Sequence, residues 1–121
     1  MQPVKISIVV HEDVVLSAVA SVIDMLEVTN HIHQSSGRPA AFAVELVSDT
    51  IRNIQLDIPV QFICQKTLSQ IRNTDLVIVP SFKPNYKVVL KKNRAIIRWL
   101  SEMHNAGAEK HKQKKTFVMQ K

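Results

Sequence analysis

The order of apolar blocks in this chain predicts an α/β protein: a parallel sheet with helices on both faces. Three observations predict it. The runs VKISIVV and DLVIVP are β-branched with little polar interruption, which is how strands buried on both sides read. Between them lie segments whose apolar residues recur at helical spacing. Strands and helices alternate as βαβ, and right-handed crossovers then set the strands side by side with helices above and below.

Val4–Val10 is the first strand. His11-Glu12-Asp13 breaks it, with Asp13 positioned to cap the next helix. Leu16, Val19, Ile23 and Leu26 mark that helix to about Gln34. Ser35-Ser36-Gly37 ends it, with Gly37 suited to the left-handed position after a helix. Ala41–Ser48 (AFAVELVS) is the second strand. Ile54–Cys64 alternates but holds Pro59, so it reads as edge-like or irregular extended chain. Thr67 is placed to cap a short helix, Leu68–Asn73. Asp75–Pro80 is the third buried strand, stopped by its proline. A lysine-rich loop then runs to about Lys92. Asn93 caps a last helix with Ile96, Ile97, Trp99, Leu100 and Met103 on its apolar side, and Gly107 ends it.

With 121 residues, 45% of them hydrophobic, the chain is one domain with a working core. No apolar run reaches the roughly 18 residues of a membrane span, and Met1–Lys5 lacks the order of a signal peptide. A cytoplasmic location is expected, and the single Cys64 allows no intrachain disulfide. The net charge of +6 is uneven: residues 1–109 hold 11 basic and 10 acidic side chains, and the last twelve residues carry five lysines. The expected organisation is a domain over residues 1–109 and a disordered lysine-rich tail over 110–121. Lys83, Lys87, Lys91, Lys92, Arg94 and Arg98 read as an exposed helix face.

Candidate chemistry is sparse. Cys64, in QFICQK, has no neighbouring base in sequence and reads as a buried structural thiol. His31 and His33 do not share a helix face. His11, His104 and His111 are scattered, and no spacing matches a zinc site. Neither glycine lies between a strand and a helix start, so no phosphate loop is present. No metal and no cofactor are expected. His11, Glu12, Pro80, Ser81 and Phe82 come after the first and third strands, at the carboxyl edge where open α/β sheets bind ligands. They are the candidate ligand-binding residues, with ordinary loop roles as the alternative.

Four stretches carry a family resemblance over residues 4–109: KISIVVHEDVVLSAVASVIDMLEV, FAVELVSDT, DLVIVPSF and RAIIRWLSEMHNAGAE. Together they resemble the ThiJ/PfpI domain, a class I glutamine amidotransferase-like, flavodoxin-like fold, in the version found N-terminal in AraC-type transcription regulators. In enzymes of that superfamily the next strand delivers a cysteine on a sharp turn, and a carboxylate from the first helix tunes it. Here Ala18 stands at the acid's position, Ser81-Phe82 replaces the family's Gly-Gly, and the matching text stops at Glu109.

The resemblance implies a non-catalytic sensor or dimerisation domain of an AraC-family regulator, truncated before its nucleophile strand and its helix-turn-helix units. It implies a small-molecule effector and a homodimer or other self-association. It implies no enzyme activity and no sequence-specific DNA binding by this chain alone, since a recognition helix needs about ten ordered residues. The lysine tail then reads as a frameshift or gene-decay junction. Leu76–Val79 is expected to be an unpaired edge, with marginal stability as the consequence. Two alternatives stand beside this reading. One is a ThiJ/PfpI-type enzyme, amidase or glyoxalase-like. The other is a small flavodoxin-like interaction module in which Thr116–Gln120 pairs as a strand against the open edge, in cis or with a second copy.

Overall fold

The β-branched runs form the sheet and the periodic segments cover it. The computed structural model describes residues 2–110 and 115–118. Its elements are β1 (Val4–Val9), α1 (Leu16–Ser35), β2 (Phe42–Ser48), β3 (Asn53–Gln55), β4 (Gln61–Ile63), β5 (Lys66–Thr67), a 3-10 turn (Leu68–Gln70), β6 (Leu76–Val79), α2 (Tyr86–Lys92), α3 (Arg94–Lys110) and β7 (Lys115–Val118). The main sheet has the order β5-β2-β1-β6-β7, and each neighbouring pair is parallel. β1 is central. That position explains why Ile6 to Val10 are all buried and why the run tolerates so little polarity.

Alternation along β1 feeds two cores. Ile6, Ile8 and Val10 join Val19, Val22 and Leu26 of α1 on one face. Val9 joins Val77, Val79, Ile96 and Trp99 on the other, under α3. Each large aliphatic side chain buried in this way contributes about 1.5–3 kcal/mol. The antiparallel hairpin β3–β4 extends the α1 side, sending Leu56 and Cys64 into that core.

The outer edge of β2 is closed by improvised partners. β5 pairs only with Val47 and Ser48. Farther back, the Asn30 side chain donates to the Phe42 carbonyl and accepts from the Phe42 N–H, both at 2.9 Å. Gln65 does the same for Leu46, through its own N–H (3.1 Å) and its side-chain oxygen (2.8 Å). Backbone groups that would be raw edge are thus hydrogen-bonded.

Several elements depart from expectation. The expected unpaired edge at Leu76–Val79 is covered: Lys115–Val118 lies parallel to it, in the register Leu76↔Lys115 to Val79↔Val118. So the strand after α3 is present, in cis, and the prediction of marginal stability from a bare edge loses its basis. The expected disordered segment 110–121 begins inside α3, which includes Lys110, and contains β7. Its remaining residues, 111–114 and 119–121, lie outside the described residues. Gly107 does not end α3. Alanines on either side favour helix, and one glycine inside a helix costs only about 1 kcal/mol.

The lysine-rich loop contains α2. Only Val89 of this helix is buried, so it shows no apolar stripe in the sequence. Asn93 closes α2 by donating from Nδ2 to the Val89 carbonyl at 2.8 Å, and its own carbonyl accepts from Ile97 N–H at 3.1 Å. Asp13 does not cap α1; Val15 holds that position. The helix after Thr67 is a single 3-10 turn. Ile97, placed on the apolar side of α3, is 43% exposed. Gly37 takes the left-handed conformation foreseen for it, with φ +78°.

Candidate functional site

Two loops meet at the carboxyl edge of β1 and β6. Val14 and Phe82 form an antiparallel bridge. Val15 N–H donates to the Ser81 carbonyl at 2.9 Å, and Lys83 N–H donates to the Asp13 carbonyl at 2.9 Å. This ladder fixes the His11 loop against the Phe82 loop.

A cavity of about 460 Å³ opens beside them, walled by Val79, Phe82, α2 and the first turns of α3, with His11 on its wall. Phe82 is central to its aromatic side. Its ring lies 6.1 Å from the His11 ring and 5.3 Å from Tyr86, edge to face with the latter. Val89, Leu90, Ile96, Ile97 and Leu100 complete the apolar wall, and Asn93 adds an amide. The volume suits a small molecule, and an apolar wall with a few polar groups is the usual composition of such sites.

His11 is buried, at 8% exposure. Its Nδ1 accepts from the Asp13 N–H at 3.2 Å, which places the ring hydrogen on Nε2 in the neutral form. Burial holds its pKa below the ordinary value; Asp13 pulls the other way without reversing it, and Lys92 adds to the lowering. Lys92, in the last turn of α2, pairs with Glu12 and, at 3.0 Å, with Asp13. These contacts, Glu12's first, raise the Lys92 pKa. Lys83 pairs with Asp57 at 2.5 Å. Lys83 and Lys92, on the loop and helix beside the cavity, are thus each paired with a carboxylate.

The five residues singled out in the sequence separate here. His11 and Phe82 line the cavity. Glu12 points outward to Lys92. Pro80 is fully buried, and Ser81 is buried with its carbonyl in the ladder. Sequence reasoning missed Tyr86, Val89, Leu90 and Asn93 as cavity residues. The available signal was Val88-Val89-Leu90 flanked by Lys87 and Lys91, which share one helix face at i, i+4.

Cys64 lies elsewhere. It is fully buried in the α1-side core, whereas Val79 and Ile96 of the cavity wall belong to the α3-side core. Burial pushes its thiol pKa up, against weaker opposing effects of Ser48 and Arg52, so the nucleophilic thiolate is disfavoured. β7 occupies the sheet position after α3, where the resembled enzymes carry their cysteine, and Lys115–Lys121 contains none. Among the described residues, no group of three His, Cys, Asp or Glu is arranged to hold a metal.

Neither a family model nor a curated protein sequence matches the chain. Solved structures do. A candidate transcriptional regulator from Vibrio parahaemolyticus superposes with TM-score 0.69 at 15% identity, covering 88% of this chain and 53% of its own. An AraC family transcriptional regulator from Pseudomonas putida gives 0.67 at 16%, covering 87% and 52%. A ThiJ/PfpI family protein from Pseudomonas syringae gives 0.55 at 12%, covering 85% and 38%. The chain thus has a ThiJ/PfpI-like, flavodoxin-like α/β fold, the fold these regulators share. It spans about half the length of the regulators it matches.

Proposed function

We propose that this chain is a non-catalytic sensor and dimerisation domain of the AraC-regulator type, which binds a small-molecule effector in the cavity beside His11. The observation that carries the reading is the cavity itself. It sits at the carboxyl edge of β1 and β6, where open α/β sheets bind ligands, and burial keeps the pKa of its imidazole below the ordinary value. The chain's cysteine is buried in the opposite core with a raised pKa. Recognition without turnover fits those groups better than acyl transfer does.

Self-association has its own support. Met25, Val28 and Ile32 of α1 are 62%, 57% and 54% exposed and fall at i, i+3 and i+7, a second apolar stripe opposite the core-facing one. A cytoplasmic location accompanies the reading; among the described residues, no helix is long and apolar enough to cross a membrane.

The test is a fragment screen by thermal shift, followed by sedimentation velocity and mass spectrometry on the hits. Binding that raises Tm, alters the monomer–dimer balance and returns the compound unchanged is the expected result. Turnover of a bound compound, or rapid iodoacetamide labelling of Cys64 at pH 6, would refute the non-catalytic reading and favour the ThiJ/PfpI enzyme alternative. A gel shift showing preference for one duplex over scrambled competitor would refute the expectation that this chain alone does not read DNA sequence.

A further inference from the structure

The chemistry of the cavity narrows what it can hold. Lys83 and Lys92 are committed to Asp57, Glu12 and Asp13. Among the described residues no Lys or Arg lines the cavity, so an anion entering it would give up its hydration against mostly apolar walls, and a buried unpaired charge is strongly disfavoured. A cation would give up its hydration in a cavity where, among the described residues, no carboxylate is on the wall to replace it. The rings of Phe82 and Tyr86, set edge to face at 5.3 Å, offer flat surface to an aromatic or otherwise planar guest. His11 sets a polar requirement. With Nδ1 taken by the Asp13 N–H, the hydrogen on His11 Nε2 is the donor that ring has left. A buried donor left unmatched is unfavourable, so a guest that supplies an acceptor is selected over one that does not.

We infer that the cavity takes an uncharged, mostly apolar ring compound carrying one hydrogen-bond acceptor, a carbonyl or ether oxygen, which His11 Nε2–H engages. This rests on the cavity being the effector site, and it adds the ligand's chemical class. A hydrocarbon of the same shape binds more weakly, and the corresponding carboxylate more weakly still.

Three probes of one size test it: acetophenone, ethylbenzene and benzoate, titrated into the full chain at millimolar concentration. The backbone amide shifts of His11, Phe82 and Asn93 report binding. Acetophenone should bind about 2- to 10-fold more tightly than ethylbenzene, the contribution of one hydrogen bond, and benzoate weakest of the three. His11→Phe should abolish the preference for the ketone while leaving hydrocarbon binding in place. Leu90→Trp, at a wall position already 45% exposed and so tolerant of bulk, should weaken the binding of all three. Dispersed amide spectra verify that both variants are folded.

Tightest binding by benzoate would overturn the ligand class and leave the effector-site reading standing. A ketone preference that survives His11→Phe would overturn the role of His11. No response of the three amides to any probe would overturn the inference together with the cavity assignment, while the sedimentation and labelling measurements would still decide the sensor reading by themselves.

Discussion

Replacing Asn30 by alanine isolates a device that the sequence does not advertise. Asn30 sits in α1 and imitates a strand, meeting both backbone groups of Phe42 at 2.9 Å. Phe42 has no strand on that side, because β5 reaches only Val47 and Ser48. Removing the amide forfeits two hydrogen bonds at about 0.5–1.5 kcal/mol each. Alanine returns about 0.5 kcal/mol through its better helix propensity. Both partners are only partly buried, and water can replace some of the lost bonding. The net destabilisation is therefore about 0.5–2.5 kcal/mol. For a chain of 121 residues, an unfolding entropy of about 2.1 cal/mol/K per residue converts that to a Tm lower by about 2–10 °C.

Urea and thermal unfolding followed by circular dichroism measure the change. Asn30→Asp is the informative companion, since it keeps the acceptor for Phe42 N–H and sets a carboxylate against the Phe42 carbonyl. It should be at least as destabilising as alanine despite its closer shape. An Asn30→Ala protein as stable as the parent, or an Asp variant that behaves like Asn, would refute the idea that this side chain completes the edge of β2.

Three further outcomes are expected. Ile8→Ala, at a fully buried position of the central strand, should cost about 2–5 kcal/mol, read as a lower urea midpoint at unchanged slope. His11 has a folded pKa below its unfolded value of about 6.5. It therefore contributes stability above that pH that is lost on acidification, and His11→Phe should flatten the fall in urea midpoint between about pH 7 and pH 5. Cys64 has a folded pKa above its unfolded value. Its contribution is present below about pH 8.5 and declines as pH rises past it, so Cys64→Ala, though less stable at neutral pH, should show the shallower alkaline loss in the same assay.

By itself the sequence determined the α/β class, the three central parallel strands, the helix ending at Gly37 and the burial of Cys64. Each is written in local periodicity or in a residue type that only one backbone conformation or environment suits. His11 and Phe82 were legible for a related reason, because they end strands that the run lengths define. Only the tertiary structure decided the rest. α2 buries a single residue, so no stripe announced it, and Tyr86, Leu90 and Asn93 became cavity residues only when it folded over α3. β7 is legible only in the interaction-module alternative, which pairs Thr116–Gln120 with the open edge; the leading reading makes it lysine tail, because its place is set by pairing with β6, and pairing between distant segments leaves no period in either one. Asn30 is an unremarkable helical polar residue until β2 begins beside it one partner short. Local patterns encode which face a segment buries; which segments meet is fixed by the sheet's need to satisfy backbone groups and cover its apolar faces, and that need belongs to the assembled chain.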